Sequence, residues 1–279
     1  MRTVILIAKD NIRALLHQRL LVGLMLASLA LIVVFSIILS SARKNIERSY
    51  SDDATVSTTA TNHSEFASTT NSLSEKDRRQ LRESMDQASS YTQAFFYQFA
   101  SFGGSLVTLF IFGTAVVDEI RKGTVRLTLS KPVSRTQFFL GKYLGGISVM
   151  AAYAIIVSLA MLVFAGLQGV NLNPAVKWAP WLMFCRQLML GSVAMLLSLY
   201  MHPIIACLIA FFAGNGFCSP SNPLYYLLPS YKDFNVFFEV IQGTLISAKD
   251  VGFLSLYALD FIVIMLLLAL WRFRTKELI

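Results

Sequence analysis

Long runs of apolar residues alternate with polar segments along this chain. A helix that crosses a membrane needs about 20 mostly apolar residues. Six runs approach or exceed that length: 20–40, 93–117, 144–167, 181–200, 203–217 and 252–271. They are rich in Leu, Ala, Met and Phe, and they lack the alternating pattern of barrel strands. The sequence therefore predicts an all-α polytopic membrane protein with six transmembrane helices, folded as one domain over residues 1–279.

The polar flanks predict further elements. Residues 1–19 have the spacing of an amphipathic interfacial helix, with basic positions on one face and apolar positions opposite: Arg2, Lys9, Arg13 and His17 against Ile5, Ala8, Ile12 and Leu15. Such a helix either only orients the first span or acts as a lever or dock for a cytoplasmic partner, and the sequence leaves both interpretations open.

Two outer regions and one hairpin complete the predicted layout. In the 41–92 loop, Ser72 and Glu75 form a capping box that predicts a helix to about Ser90. The break before Pro203 predicts a tight cytoplasmic hairpin between the fourth and fifth spans. Residues 218–251 are rich in Pro and Phe, and they predict an outer helical region with re-entrant and interfacial parts.

Composition and charge support a membrane protein and orient it. Of the 279 residues, 55% are hydrophobic and 14% charged, whereas soluble domains carry about 25% charged residues. The inner segments of the six-span layout hold 13 Lys and Arg against 4 acids, and the outer segments hold 10 against 11. This positive-inside pattern predicts that both termini lie in the cytoplasm. We expect the membrane to be the inner membrane of a bacterial cell. The net charge of +8 thus reports orientation, and no nucleic-acid partner is expected.

The 118–143 segment between the second and third spans is polar and strongly basic. Two acids end the second span, Gly123 and Thr124 can turn the chain, and a short coupling helix can follow on the cytoplasmic surface over 124–130. Lys131 and Pro132 end it, because the residue before a proline resists the helical conformation. Ser134 can then cap the helix of the third span. An alternative interpretation is that this segment only anchors in lipid headgroups.

The motifs EIRKGT at 119–124, LSKPVSR at 129–135 and GKYLG at 141–145 resemble the segment between the second and third spans of type-2 ABC transporter permeases. The six-span layout agrees over the whole chain. The resemblance implies that a cytoplasmic ABC ATPase, present in two copies and carrying ATP and Mg²⁺, docks on residues 118–135. The residues implied in this coupling are Asp118, Glu119, Arg121, Lys122, Gly123, Thr124, Arg126, Lys131 and Arg135. It also implies a second permease copy or a homologue as partner.

The spans contain two further candidate features. The second span carries a stripe of small and polar residues, which favours close helix packing or a dimer face over a pore lining: Ser101, Gly104, Ser105 and Thr108. Arg186 and Asp260 are the charges inside spans, at similar depth in the outer half. We hypothesise an ion pair between them, because an unpaired charge in the membrane is costly. The alternative is that Arg186 reaches the outer headgroups while Asp260 faces water or is protonated.

No catalytic or metal-binding grouping is evident, since the three histidines are scattered and no Gly-rich phosphate loop occurs. We therefore expect a transport subunit that is not itself an enzyme and holds no cofactor. The favoured function is the permease of an ATP-driven exporter. One alternative is a membrane subunit that transmits ATPase motion to an extracytoplasmic envelope partner without transport, and another is an ion-coupled secondary transporter. The sequence does not specify a substrate.

Overall fold

The computed structural model describes residues 2–17, scattered positions between 22 and 45, and residues 67–117, 119, 134–168, 172–214 and 231–275. Within these ranges the chain is almost entirely helical and contains no strand. The helices are α1 Arg2–His17, α2 Ala67–Thr114, α3 Arg135–Gln168, α4 Ala179–Ser198, α5 Pro203–Gly214, α6 Phe237–Gln242 and α7 Ala248–Thr275, with 3₁₀ turns at Pro174–Lys177 and Tyr231–Phe234.

Four helices are long and apolar enough to cross a membrane: Asp86–Thr114, Arg135–Gly166, Ala179–Ser198 and Ala248–Thr275. They correspond to the second, third, fourth and sixth predicted spans. The fifth is α5, whose 12 apolar residues extend about 18 Å at 1.5 Å per residue. Most of the first predicted span, 20–40, lies outside the described residues. The chain is thus an integral membrane protein with an all-helical described part, and the count of six spans stays a prediction.

Helix α2 is one continuous element of 48 residues. The prediction of a separate outer helix that starts at the Ser72 capping box is wrong, because the helix already begins at Ala67 and continues without a break into the second span. Residues 67–85 precede the apolar part of α2 and extend about 28 Å beyond it. The second span therefore continues beyond its N-terminal end as a helical rod.

The predicted hairpin between the fourth and fifth spans is present. Helix α4 ends at Ser198, and α5 begins at Pro203, where the missing N–H of proline costs no helical hydrogen bond. The guanidinium of Arg272, near the end of α7, lies 4.8 Å from the ring centre of Tyr200 in this turn. The turn and the end of α7 therefore lie at the same end of the bundle, which we call the hairpin end.

Polar side chains tie the opposite end of the bundle together. The side chain of Asn173 accepts a hydrogen bond from the backbone of Ala175, and its Nδ2 donates to the carbonyl of Val240 at 2.7 Å. Gln93 of α2 accepts from the backbone N–H of Asn173 at 3.0 Å. Helix α6 then ends at Gly243, whose φ of 68° is readily adopted only by glycine. The re-entrant part predicted over 218–230 lies outside the described residues.

The core lies between α2, α3 and α4, and Phe112 of α2 occupies its centre with no exposed surface. A Cβ atom at Gly146 of α3 would lie 2.6 Å from the Phe112 ring, and one at Gly191 of α4 would lie 2.4 Å from it. Both distances are shorter than van der Waals contact. The three helices can therefore approach around this ring only because two facing positions are glycines.

Candidate functional site

Helix α1 packs across α3 at two glycines of the GKYLG motif. A Cβ at Gly141 would lie 2.7 Å from Cγ2 of Ile7, and one at Gly145 would lie 2.6 Å from Nδ2 of Asn11. Glycines four residues apart form a shallow groove on one face of a helix, which lets another backbone approach closely. Helix α1 therefore packs directly against the first turns of α3.

Most of the predicted apolar face of α1 packs inward, since Leu15 is buried and Ala8 and Ile12 are half-buried. Asn11 and Leu15 are buried, whereas Ile5, assigned to the apolar face, is 66% exposed. Lys9 and Asp10 are exposed on the other side of the helix. A polar residue, Asn11, thus lies within the face of α1 that packs against α3.

Two buried residues, Asn11 and Lys142, and the half-buried Glu119 form a small cluster that we call the coupling joint. The Nζ of Lys142 donates to Oδ1 of Asn11 at 3.1 Å and to a carboxylate oxygen of Glu119. Nδ2 of Asn11 donates to the backbone carbonyl of Lys142 at 3.0 Å. The side chain of Lys142 is 9% exposed and that of Glu119 27%. An ammonium group has three donors and no acceptor, so the two oxygens satisfy most of its hydrogen-bonding capacity in a site that excludes most water.

The joint connects three elements that are far apart in sequence. Asn11 belongs to α1, Lys142 to α3, and Glu119 follows the end of α2. Removing one partner from a buried ion pair leaves an uncompensated charge and costs about 3–5 kcal/mol. The three elements are therefore held together at the hairpin end by an interaction that is expensive to break.

Of the residues implied in ATPase coupling, the structure describes Glu119 and Arg135. Glu119 binds Lys142 in the coupling joint. Nη1 of Arg135 donates to the carbonyl of Arg274 in α7 at 3.1 Å, so this side chain is fixed against the last helix. The other implied residues lie outside the described ones: Asp118, Arg121, Lys122, Gly123, Thr124, Arg126 and Lys131.

The predicted cap at Ser134 is confirmed. Oγ of Ser134 accepts from the backbone N–H of Gln137 at 3.2 Å, and Oε1 of Gln137 accepts from the backbone N–H of Ser134 at the same distance. This reciprocal pair is a capping box, which satisfies donors that the first turn of a helix leaves without partners. It fixes the residue at which helix α3 begins after the segment that follows Glu119.

A second polar cluster is buried between α2, α3 and α4. Gln187 is fully buried, and its Nε2 donates to the backbone carbonyl of Ser101 at 2.9 Å. Oγ1 of Thr108 donates to Oε1 of Gln187 at 3.1 Å. Nη1 of Arg186 donates to Oγ of Ser101 at 2.8 Å. This network locks α2 to α4, because each bond joins side chains in an environment where an unsatisfied polar group is costly.

The stripe on the second span faces the inside of the protomer. Ser101, Ser105 and Thr108 are 7%, 3% and 0% exposed. A Cβ at Gly104 would lie 3.0 Å from both Gln187 and Tyr153. The stripe therefore packs against the third and fourth spans, which agrees with the helix-packing interpretation, while Phe102 and Leu106 form the exposed side of this helix.

The structure does not bring Arg186 and Asp260 together. Arg186 is 9% exposed and donates to Ser101, whereas Asp260 lies on the exposed side of α7. Within the described ranges the ion pair at salt-bridge distance is Lys142 with Glu119. The hydroxyl of Ser101 thus gives the buried guanidinium a polar partner on the second span.

Asn11, Lys142 and Gln187 were not among the residues singled out by the sequence. Asn11 carried a detectable signal, since it is a polar residue at helical spacing from Ala8 and Leu15. Gln187 beside Arg186 also interrupts an apolar run. Lys142 belongs to the GKYLG motif and to the basic segment after the second span, but neither pattern predicts its partners.

Comparison with known proteins assigns the chain to a family. No curated protein shows significant similarity to the chain. The model of the family described as ABC-2 family transporter protein matches residues 5–198, which include α1, the coupling joint and the polar cluster between α2 and α4. Because the match covers more than half of the sequence, the chain belongs to the ABC-2 family of transporter proteins.

Proposed function

We propose that this chain is the permease subunit of an ATP-driven exporter whose ATP is hydrolysed by a separate ABC ATPase docked on residues 118–135. Membership of the ABC-2 family supports a membrane transport component that associates with such an ATPase. Two ATPase copies would serve two permease chains, either identical or homologous. The excess of basic residues on the inner segments supports an inner-membrane orientation with both termini in the cytoplasm.

The coupling joint carries this proposal. Glu119 lies at the start of the docking segment, and its carboxylate is bound to Lys142 of the third span. Lys142 is bound in turn to Asn11 of the amphipathic helix. A displacement of the docking segment by an ATPase would thus pull on the second span, the third span and α1 together. In this scheme α1 acts as a lever, which is one of the roles that its amphipathic pattern allows.

The test is ATP hydrolysis by the purified complex. A tagged chain is purified in mild detergent, and its ATPase partner is identified by mass spectrometry. Glu119→Lys should leave the protein inserted in the membrane but abolish substrate-stimulated ATP hydrolysis, because two ammonium groups would face each other in the joint. Gly123→Pro should do the same by fixing φ and removing an N–H. Asp10→Lys reverses the charge of an exposed acid on α1 and is the matched control.

Full stimulated hydrolysis in both variants would contradict the proposal. So would a chain that carries out transport in vesicles without any ATPase partner. That second outcome would favour an ion-coupled secondary transporter. Such transporters place charged groups inside the membrane, and in this chain Arg186 is hydrogen-bonded to Ser101.

One observation favours a second candidate function. The rod formed by residues 67–85 of α2 is continuous with the helix that ends near Glu119. Motion of the docking segment would therefore reach an extracytoplasmic partner through one rigid element about 70 Å long. Reconstituted vesicles separate the two functions. ATP-dependent flux supports export, whereas ATP hydrolysis stimulated by an envelope protein without flux supports mechanical transmission.

A further inference from the structure

Asp260 lies near the middle of α7, on the side of this helix that faces away from the rest of the protein. Val251 and Ala269 are buried, and each lies nine residues from Asp260, which is two and a half helical turns. Asp260 is therefore on the face of α7 opposite to the one that packs. Its side chain is exposed, and it makes no ion pair or hydrogen bond with any residue in the described part of the chain.

The two ends of α7 place this carboxylate near the middle of the hydrocarbon layer. Lys249 and Trp271 are both exposed, and each lies eleven residues from Asp260, which is about 16 Å along a helix. A hydrocarbon layer is about 30 Å thick, and Trp and Lys side chains favour its two surfaces. The short side chain of aspartate reaches neither surface from the middle. Because charged groups at this depth are costly, they normally face a bundle interior and pair with another group.

The residues around Asp260 form a surface on which another helix can pack. We call Phe253, Leu256, Asp260, Ile264 and Leu267 the Asp260 face. The four apolar members are between 47% and 75% exposed, and the five residues recur at intervals of three and four, as in a seam between two helices. In its most apolar 18-residue stretch, 11% of α7 is buried, compared with 67% for α2 and for α4. Apolar side chains on such a face also suit lipid, but the carboxylate at its centre does not.

A second copy of this chain offers no opposite charge at this depth. The first, second and fifth predicted spans contain no charged residue, and α3 carries charges only near its start. Arg186 of α4 is buried and hydrogen-bonded to Ser101. Two copies that met through α7 would place Asp260 against Asp260, and like charges repel one another strongly where water is excluded. Charge complementarity therefore favours a different chain as the partner of this face.

We propose that the Asp260 face binds the transmembrane helix of a different membrane protein, one that carries an arginine or a lysine near the middle of its span. The cation donates charge-assisted hydrogen bonds to the carboxylate of Asp260, and each charge removes the cost of leaving the other in hydrocarbon. The apolar residues above and below the ion pair then pack against the partner helix. A single polar position within such a seam selects the partner and fixes its register.

Disulfide formation with synthetic helices tests this proposal. In a background without the native cysteines, Leu256→Cys places a thiol one turn from Asp260 on the same face. The full chain is reconstituted in phosphatidylcholine vesicles with a peptide of about 21 Leu and Ala residues that carries one central arginine. The peptide has one cysteine a turn before or after the arginine, so the two versions serve parallel and antiparallel packing. On mild oxidation, one version should react at least about five-fold faster than the same peptide with a central leucine.

A charge reversal makes the result specific. Asp260→Leu should lower the rate for the arginine peptide to that for the leucine peptide. Asp260→Arg should reverse the preference, so that a peptide with a central glutamate reacts faster than the arginine peptide. Leu159→Cys is the matched control, because it places a thiol on the exposed face of α3. It should react at the same rate with all of the peptides.

Equal rates for the arginine and leucine peptides at position 256 would overturn the proposal. An arginine preference that survives Asp260→Leu would also overturn it, because recognition would then not depend on the carboxylate. So would disulfides between two copies at position 256, formed without peptide and faster than at position 159, since they would show that a second copy covers this face. The vesicles contain neither ATP nor an ATPase, so the result does not depend on the proposed transport function.

Discussion

Asn11 and Lys142 exchange two hydrogen bonds across the contact between α1 and α3. The amide of Asn11 donates to the carbonyl of Lys142 at 3.0 Å, and the ammonium of Lys142 donates back to the amide oxygen at 3.1 Å. Both residues are buried, and Gly145 one turn along α3 leaves the room that this approach requires. Helix α1 is thereby hydrogen-bonded to Lys142, which also binds Glu119.

Asn11→Ala should destabilise the protein more than any exposed substitution on α1. It removes an acceptor from the ammonium of Lys142 and a donor from its carbonyl, so we expect a loss of about 1–3 kcal/mol. Thermal unfolding in detergent measures the effect. Asp10→Ala, one residue away on the exposed side, is the control and should change stability by less than about 0.5 kcal/mol. Equal effects of the two substitutions would mean that the exchange of hydrogen bonds contributes nothing.

Glu119→Gln and Lys142→Met should be strongly non-additive. Each single change leaves a charge in a site that excludes most water, whereas the double change removes both charges. We expect an interaction free energy of about 0.5–3 kcal/mol in a double-mutant cycle on unfolding. Lys177→Met lies at the opposite end of the bundle, and its effect should simply add to that of Glu119→Gln. Additivity in both cycles would show that Glu119 and Lys142 do not interact.

Gly141→Leu should detach α1 from α3. The added side chain would overlap Ile7, and overpacking of this kind costs about 1–3 kcal/mol. Spin labels at Lys9 and Ser148, both exposed, should report a longer or broader distance in the variant. Gly166→Leu is the matched control on the same helix, since nothing lies within 4 Å of a Cβ there. An unchanged distance after Gly141→Leu would contradict the proposed helix contact.

Ser101→Ala and Arg186→Gln should also be non-additive, because Oγ of Ser101 accepts from Nη1 of Arg186 at 2.8 Å. The same cycle with Asp260→Asn in place of Ser101→Ala tests the hypothesised ion pair. We expect the effect of Arg186→Gln on the free energy of unfolding to be non-additive with that of Ser101→Ala and additive with that of Asp260→Asn. The opposite pattern would show that Arg186 turns towards α7 in the membrane.

Thiol labelling tests the orientation that follows from the charge asymmetry. In a background without the native cysteines, Glu65→Cys should react with an impermeant reagent applied to intact cells. Thr128→Cys, in the docking segment, should react only after the membrane is opened. The two positions lie on opposite sides of the second span, so each is the control for the other. Labelling of position 128 in intact cells would overturn the predicted orientation.

Several features of this protein follow from local sequence alone. The lengths of the four helices that are long and apolar enough to cross a membrane reflect the thickness of hydrocarbon that an apolar run must cross. The start of α5 at Pro203 and the cap at Ser134 depend on residues within one turn of the helix, so neighbouring side chains suffice to predict them. The start of α2 is not predicted correctly, because Ser and Glu three residues apart, as at 72 and 75, also occur inside helices.

The partners of the polar residues were decided by tertiary structure. A lysine that becomes buried must find an acceptor, but the sequence does not say which one. Lys142 binds Asn11 at a separation of 131 residues and Glu119 at a separation of 23. The same holds for the stripe at Ser101, Ser105 and Thr108. Composition showed that this face can pack closely, but the rotation of a helix about its axis is set by its neighbours. Gln187 and Arg186 on α4 turned the stripe inward, because burying polar groups against each other costs less than exposing them to lipid.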